Sequence, residues 1–267
     1  MKPTPYSQEG YVQWHEEAVE ADRGLLNRLD DFRRGLMAEA RPDLDLLYQV
    51  LTYMFTYARN EYRRARGQEA SYQTPLSEAL PSVGPSGNPS PRYSDLFKSA
   101  PSIVNKMWRK AGDEPGVTLS DLRRSITDLI RTDVRTETLD GARFLAHRMN
   151  DLPGLLYNQE LKEQYEGRVE SIAFEPEMKM ASGYFAYHGL VRFRSGSVVE
   201  VQIYSALMSE WRRLSHQLYE RVRLEPVAKH EFASPEARLV SLGHALHLAE
   251  CEIMRLRQEI DRGPMQV

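Results

Sequence analysis

Two β-rich runs, residues 187–193 and 198–204, stand four residues apart, and the Arg194-Ser195-Gly196-Ser197 between them is turn chemistry. That pairing commits the middle of the chain to a hairpin and therefore to a sheet. A third run, residues 168–174, also alternates, and residues 125–135 read as a further strand. Helical patterns at 99–110 and 140–149 are interleaved with these strands, so the fold class is α/β (α+β) with helices layered on a sheet.

Helical periodicity also brackets this core. Apolar residues recur at Trp14, Ala18, Ala21, Leu25, Leu29, Phe32 and Leu36, the spacing of one helical face. Pro42 reads as the first turn of a second helix through Leu47, Leu51, Met54, Ala58 and Tyr62, and the two helices are expected to pack as a hairpin. Residues 67–92 hold five prolines and three glycines, a composition that sustains neither periodicity and predicts a loop or linker. Two further helices, over 206–223 and 235–262, close the sequence, the last stopped by Gly263-Pro264. The organisation is thus a helical hairpin over 1–66, a linker over 67–92, a core over 93–224 and a C-terminal helix over 225–267.

Composition narrows the class. At 267 residues with 41% apolar and 27% charged side chains, the chain is neither collagen-like, rod-like nor wholly disordered. One cysteine, Cys251, rules out an internal disulfide framework and points to a cytoplasmic protein. No apolar run approaches the ~20 residues of a membrane span, so no membrane partner is expected. Of the 35 basic residues 28 are arginine, several in pairs such as Arg123-Arg124 and Arg212-Arg213, each pair by itself reading as a solvated helix face.

Three segments carry polar residues that a plain core does not need. On a helix starting near Ser99, the residues Ser102, Lys106, Arg109 and Lys110 share one face and, with Lys98, suit a polyphosphate. Asp128 is embedded in the β-prone run Ile126-Thr127-Asp128-Leu129-Ile130. Glu200 and Gln202 fall on one face of a strand whose other face is Val199, Val201 and Ile203. Carboxylates on two strands, Asp128 and Glu200, can hold Mg²⁺ against nucleotide phosphates.

In order, these segments resemble the motifs of RelA/SpoT-type synthetases. Residues 98–110 are similar to that family's Lys-Ser-x-x-Ser-Ile-x-x-Lys-x-x-Arg-Lys pattern, and 126–130 to its Asp-containing strand. Ser182-Gly183-Tyr184-Phe185-Ala186-Tyr187-His188 is similar to its Gly-Tyr-Arg-Ser-x-His loop, and Glu200-Val201-Gln202-Ile203 to its Glu-Ile-Gln-Ile strand. Residues 208–219 continue the likeness into the closing helix, so it spans roughly 95–223.

The resemblance implies a nucleotidyltransferase-like synthetase fold, a mixed central sheet of about five strands flanked by helices. It implies an enzyme that moves the β,γ-pyrophosphate of ATP, with Mg²⁺, to a ribose 3′-hydroxyl. Lys98, Ser102, Lys106 and Arg109 would bind ATP; Asp128, Glu200 and Gln202 would be catalytic, with Asp128 and Glu200 on the metal. Tyr184, stacked on the base, with His188 and Lys179 would bind the acceptor.

The sequence departs from the pattern on the acceptor side. Arg131-Thr132-Asp133 stands where the family has Gly-x-Arg, Phe185 replaces an arginine, Lys179 lies one residue farther from Gly183, and Tyr204-Ser205 replaces Arg-Thr. A free GDP or GTP needs such cations; a tRNA 3′-end does not. The expectation is a toxin-type small alarmone synthetase acting on the 3′-terminal adenosine of tRNA and restrained from outside, by an antitoxin, low expression or a separate hydrolase. The alternatives are an alarmone synthetase using guanine or adenine nucleotides, and a catalytically weakened nucleotide sensor. The flanking helices are expected to cover the sheet, with a homo-oligomer interface, tRNA platform or antitoxin dock as further roles.

His244, His247 and Cys251 share a face of the last helix at metal-ligand spacing. The interleaved Leu242, Leu246, Ala249, Ile253 and Leu256 describe an amphipathic helix that needs no metal.

Overall fold

The computed structural model describes residues 2–80, 91–111, 116–224 and 233–261, and side chains within 219–224 are left aside. The chain begins with helices α1 (Gln8–Ala18) and α2 (Leu25–Arg66), strand β1 (Tyr72–Gln73) and the single turn α3 (Leu76–Ala79). A 3-10 segment (Pro91–Leu96), α4 (Ala100–Lys110) and the turn α5 (Leu122–Ser125) lead to β2 (Ile130–Thr136). Then come α6 (Leu139–Asn150), the turn α7 (Leu152–Leu155), α8 (Gln159–Arg168), β3 (Val169–Lys179), β4 (Tyr184–Phe193) and β5 (Val198–Ser205). Two long helices, α9 (Ala206–Leu224) and α10 (Pro235–Asp261), complete the described structure.

The five strands form one mixed sheet in the order β1-β2-β5-β4-β3. Only β2 and β5 run parallel, in the register Arg131 to Glu200 and Asp133 to Gln202. The β4–β5 hairpin places His188 beside Gln202, and its turn uses Gly196 at φ +90, a conformation glycine enters freely. Strand alternation then sorts the side chains. Ile130, Val134, Val199, Val201, Ile203 and Val191 go to one face, and Arg131, Asp133, Glu200, Gln202 and His188 to the other.

The apolar face is covered by α6, whose Leu139, Ala142, Leu145, Ala146 and Met149 are buried at helical spacing. Thr138 caps this helix, its hydroxyl accepting from the Gly141 N–H at 3.1 Å. Outside it lies α2, and Tyr62 joins the layers by donating its hydroxyl to Asp140 at 3.1 Å.

The expected N-terminal hairpin is instead one helix of 42 residues with Pro42 inside it, preceded by the short α1. Proline in a helix interior costs about 3 kcal/mol. Here the buried stripe of Leu36, Ala40, Leu44, Leu47 and Leu51 keeps its spacing across position 42, and that burial outweighs the lost hydrogen bond. The apolar pattern from Trp14 to Leu36 is broken between the helices, where Gly24 takes φ +78.

The strand expected from residue 125 starts only at Ile130. Residues 122–125 close a helical turn, with Ser125 N–H donating to Asp121 O and Ile126 N–H to Leu122 O, both at 2.8 Å. Within 67–92, β1 and α3 were missed, residues 81–90 lie outside the described residues, and so does the Gly263-Pro264 stop.

Helices α9 and α10 pack on each other and on β4. Gly243 of α10 lies against Gly183 (φ +74) in the turn entering β4, so closely that a methyl group on Gly243 would strike the Gly183 carbonyl and one on Gly183 the Val240 carbonyl. The Trp211 indole N–H, beside them, donates to Leu239 O at 2.7 Å. Among the described residues no helix is long and apolar enough to cross a membrane.

Candidate active site

The polar face of the sheet carries two clusters of charge, one at each side of the Arg131–Glu200 pair. The first is built where the chain enters β2. Asp128 sits in the turn before that strand, not in the strand as expected, because the helical turn α5 uses up the preceding residues. Lys98 is tied there by its own N–H donating to Leu129 O at 2.9 Å, and Lys106 reaches over from the second turn of α4. Their ammonium groups lie 3.0 and 2.8 Å from the two Asp128 oxygens. Burial works to raise the Asp128 carboxyl, but the two lysines outweigh it and hold it below the usual carboxylate range. Burial lowers the Lys98 ammonium, and Asp128 offsets part of that.

A cavity of about 380 Å³ opens over this cluster, lined by Lys98, Ser99, Ser102 and Asp128 together with Arg33 of α2 and Arg131 of β2. Ser99, the N-cap residue, donates its hydroxyl to Ser102 at 2.9 Å, so both hydroxyls stand at the helix start. Arg33 pairs with Asp30 at 3.3 Å, while its Nε is buried with no hydrogen-bond partner. A second cavity of about 450 Å³ shares Asp95, Leu96 and Arg131 with the first and continues to Asp133 and Arg212. Arg109 is exposed, lines neither cavity and pairs with no carboxylate among the described residues.

The second cluster centres on Tyr184, the first residue of β4 rather than part of a loop. Its ring is 8% exposed and tilted against Trp211, with centroids 6.2 Å apart. Its hydroxyl lies 2.9 Å from His188 Nε2, and His188 Nδ1 lies 2.8 Å from Glu177 and 3.9 Å from Glu200. A carboxylate only accepts, so Nδ1 carries the proton toward Glu177 and Nε2 accepts from the tyrosine. Burial lowers the His188 pKa, partly offset by Glu177 and Glu200, so the ring is neutral at pH 7. Burial pushes the Tyr184 hydroxyl up, which keeps it protonated and a donor. Gln202 donates its side-chain N–H to Glu200 and keeps a buried carbonyl oxygen with no partner. Lys179 sits 5.4 Å from the Tyr184 ring centroid and 3.3 Å from Glu177.

Arg212 corrects the reading of the arginine pairs. Its side chain is 11% exposed, 3.6 Å from Asp133 and 4.4 Å above the Tyr204 ring, whereas Arg213 points outward to Glu210 at 2.8 Å. Arg212 lies four residues after the buried Met208, a helical spacing that already marks it as inward-facing. Arg33 carries the same signal, four residues after the buried Leu29 and three before Leu36, whereas Glu177 gives none, because only the β3–β4 register brings it in.

Solved structures resemble this chain along most of its length. The crystal structure of small alarmone synthetase 1 from Bacillus subtilis is 18% identical, with a TM-score of 0.48 over 88% of this chain and 100% of that one. The same protein bound to its product pppGpp is 17% identical, with a TM-score of 0.48 over 87% and 99%. Small alarmone synthetase 2 from Bacillus subtilis is 15% identical, with a TM-score of 0.45 over 86% and 99%. No family model matches the chain, and no curated protein does.

No three His, Cys, Asp or Glu side chains among the described residues gather as a metal-ligand set. Both Asp128 oxygens already face ammonium groups, so Asp128 could reach an ion only as Lys98 and Lys106 swing onto the phosphates that the ion brings. In α10, His244 Nε2 lies 2.9 Å from Met180 O, His247 stacks on Phe185 with centroids 4.2 Å apart, and Cys251 Sγ is 3.5 Å from His247.

Proposed function

We propose that this chain is an ATP-dependent pyrophosphokinase that transfers the β,γ-pyrophosphate of ATP to a ribose 3′-hydroxyl. The observation that carries the reading is the placing of a lysine-rich cleft and a carboxylate–histidine–tyrosine cluster side by side on one sheet face. The ordered motif likeness supports it.

In this reaction the 3′-oxygen attacks the β-phosphorus, the bond from that phosphorus to the α,β-bridging oxygen breaks, and AMP leaves. The 3′-hydroxyl proton goes to a base. Lys98, Lys106, Ser102, Arg33 and Arg131 would bind the triphosphate, which needs positioning and charge screening more than covalent chemistry. Asp128 and Glu200 would hold the Mg²⁺ that accompanies ATP, an ion that would screen the charge of the phosphates. Glu200, oriented by Gln202, is the base, and Tyr184, His188 and Lys179 form the acceptor seat.

The favoured acceptor is the 3′-terminal adenosine of tRNA, which makes the protein a cytoplasmic inhibitor of translation under antitoxin control. The loss of arginines from the acceptor motifs supports it. Arg212 beside Tyr184, at 5.8 Å, favours a free purine nucleotide as the second reading.

The test is to incubate the protein with γ-³²P-labelled ATP and Mg²⁺, offering GDP, GTP, AMP, ADP and total tRNA separately. Label on tRNA is the expected result, label on a mononucleotide selects alarmone synthesis, and bound ATP with no transfer leaves a nucleotide sensor.

A further inference from the structure

Of the three cations nearest Tyr184, Lys179 and Arg212 each have a carboxylate, while Arg131 lies toward the donor cleft. Glu177 holds two acceptor groups at once, with one oxygen 3.3 Å from Lys179 and the other 2.8 Å from His188 Nδ1. Asp133 stands 3.6 Å from Arg212. These pairs are not buried structural bridges, because the Glu177 side chain is 40% exposed and that of Asp133 30% exposed, open to whatever enters the groove. An incoming polyphosphate would have to break the pairs and would then lie beside two uncompensated carboxylates. A neutral ribose and base, or a nucleotide whose phosphate is a distant diester, meets no such cost.

Resting on the pyrophosphokinase reading, we propose that Glu177 and Asp133 are specificity-determining residues that exclude nucleoside polyphosphates from the acceptor seat. The acceptor class is a 3′-terminal nucleotide of a nucleic-acid chain or a nucleoside without a 5′-polyphosphate. Rejection by placed like charge is a standard route to specificity, and a unit charge a few ångströms from a phosphate changes binding by about tenfold or more.

Glu177→Gln and Asp133→Asn remove charge yet keep an oxygen to accept from His188 Nδ1 and from Arg212. Transfer from γ-³²P-labelled ATP to GTP should rise at least about tenfold in kcat/KM in either variant and further in the double variant. The ratio of transfer to GTP over transfer to total tRNA should rise at least about tenfold. Periodate-oxidised tRNA, lacking the 3′-hydroxyl, is the control. GDP binding with the donor site filled by a non-transferable ATP analogue should tighten in the same order. Wild-type protein that already uses GTP as well as the variants do, or an unchanged GTP-to-tRNA ratio, overturns the proposal. If no protein labels any acceptor but GDP binding tightens as stated, the charge exclusion stands and the transferase reading falls. GDP binding unmoved by the substitutions overturns the exclusion whatever the turnover.

Discussion

The two ends of the polar groove use different charge balances. At the entry to β2, four cations, Lys98, Lys106, Arg33 and Arg131, gather about two carboxylates, Asp128, held by both lysines, and the exposed Asp95. Around Tyr184, three carboxylates, Glu177, Glu200 and Asp133, meet Lys179, Arg212, the flanking Arg131 and a neutral histidine. The first end can take a triphosphate by exchanging the two ion pairs of a single carboxylate, Asp128. The second is already balanced and better suited to moving a proton than to gripping a phosphate. A groove polarised in this way distinguishes donor from acceptor before any base is read.

The contrast breaks most sharply at Glu200. Glu200→Gln should lower kcat by about a hundredfold or more while ATP binding stays within about threefold, measured by single-turnover transfer and calorimetry. A matching loss of ATP affinity would place Glu200 at the donor end instead. Next is Lys106→Ala, which leaves Asp128 with one ammonium and should weaken MgATP binding by roughly tenfold or more; acceptor KM should hold. Tyr184→Phe keeps the ring and removes the hydroxyl donated to His188, so acceptor KM should rise by about three- to tenfold with the donor unaffected.

A pH experiment sharpens the same contrast. The Asp128 carboxyl is held below its unfolded value near 3.9, so its contribution to stability is complete above that value and is lost as pH falls through the folded one. Wild-type urea midpoints should therefore fall more steeply below about pH 4 than those of Asp128→Asn. Equal slopes would mean that the two lysines do not hold the charge. The smallest effect is assigned to Arg109→Ala, less than about threefold on transfer, since that side chain is exposed and outside both cavities.

Much of this arrangement was legible because its residues share one element. Period two puts Glu200 and Gln202 on a common face, and a single helix carries both Ser102 and Lys106. Those relations survive any packing of the elements. Asp128 was legible as a residue but not as a turn, because the hydrogen bonds of α5 compete with the strand for residues 122–126. Pro42 misled for a similar reason: a local penalty was set against a buried stripe extending on both sides of it. Glu177 depends on the register of the β3–β4 hairpin, which no periodicity encodes, while Arg33 was legible at helical spacing from Leu29 and Leu36. Arg212 was recoverable in the same way, since its spacing from Met208 already turned it inward.

The close approach of Gly183 and Gly243 fixes more than a turn. Tyr184 follows Gly183 directly, so the acceptor seat is hung from a helix sixty residues downstream in sequence. A side chain added at Gly243, whose Cβ would meet the Gly183 carbonyl, would therefore shift Tyr184 without touching the groove.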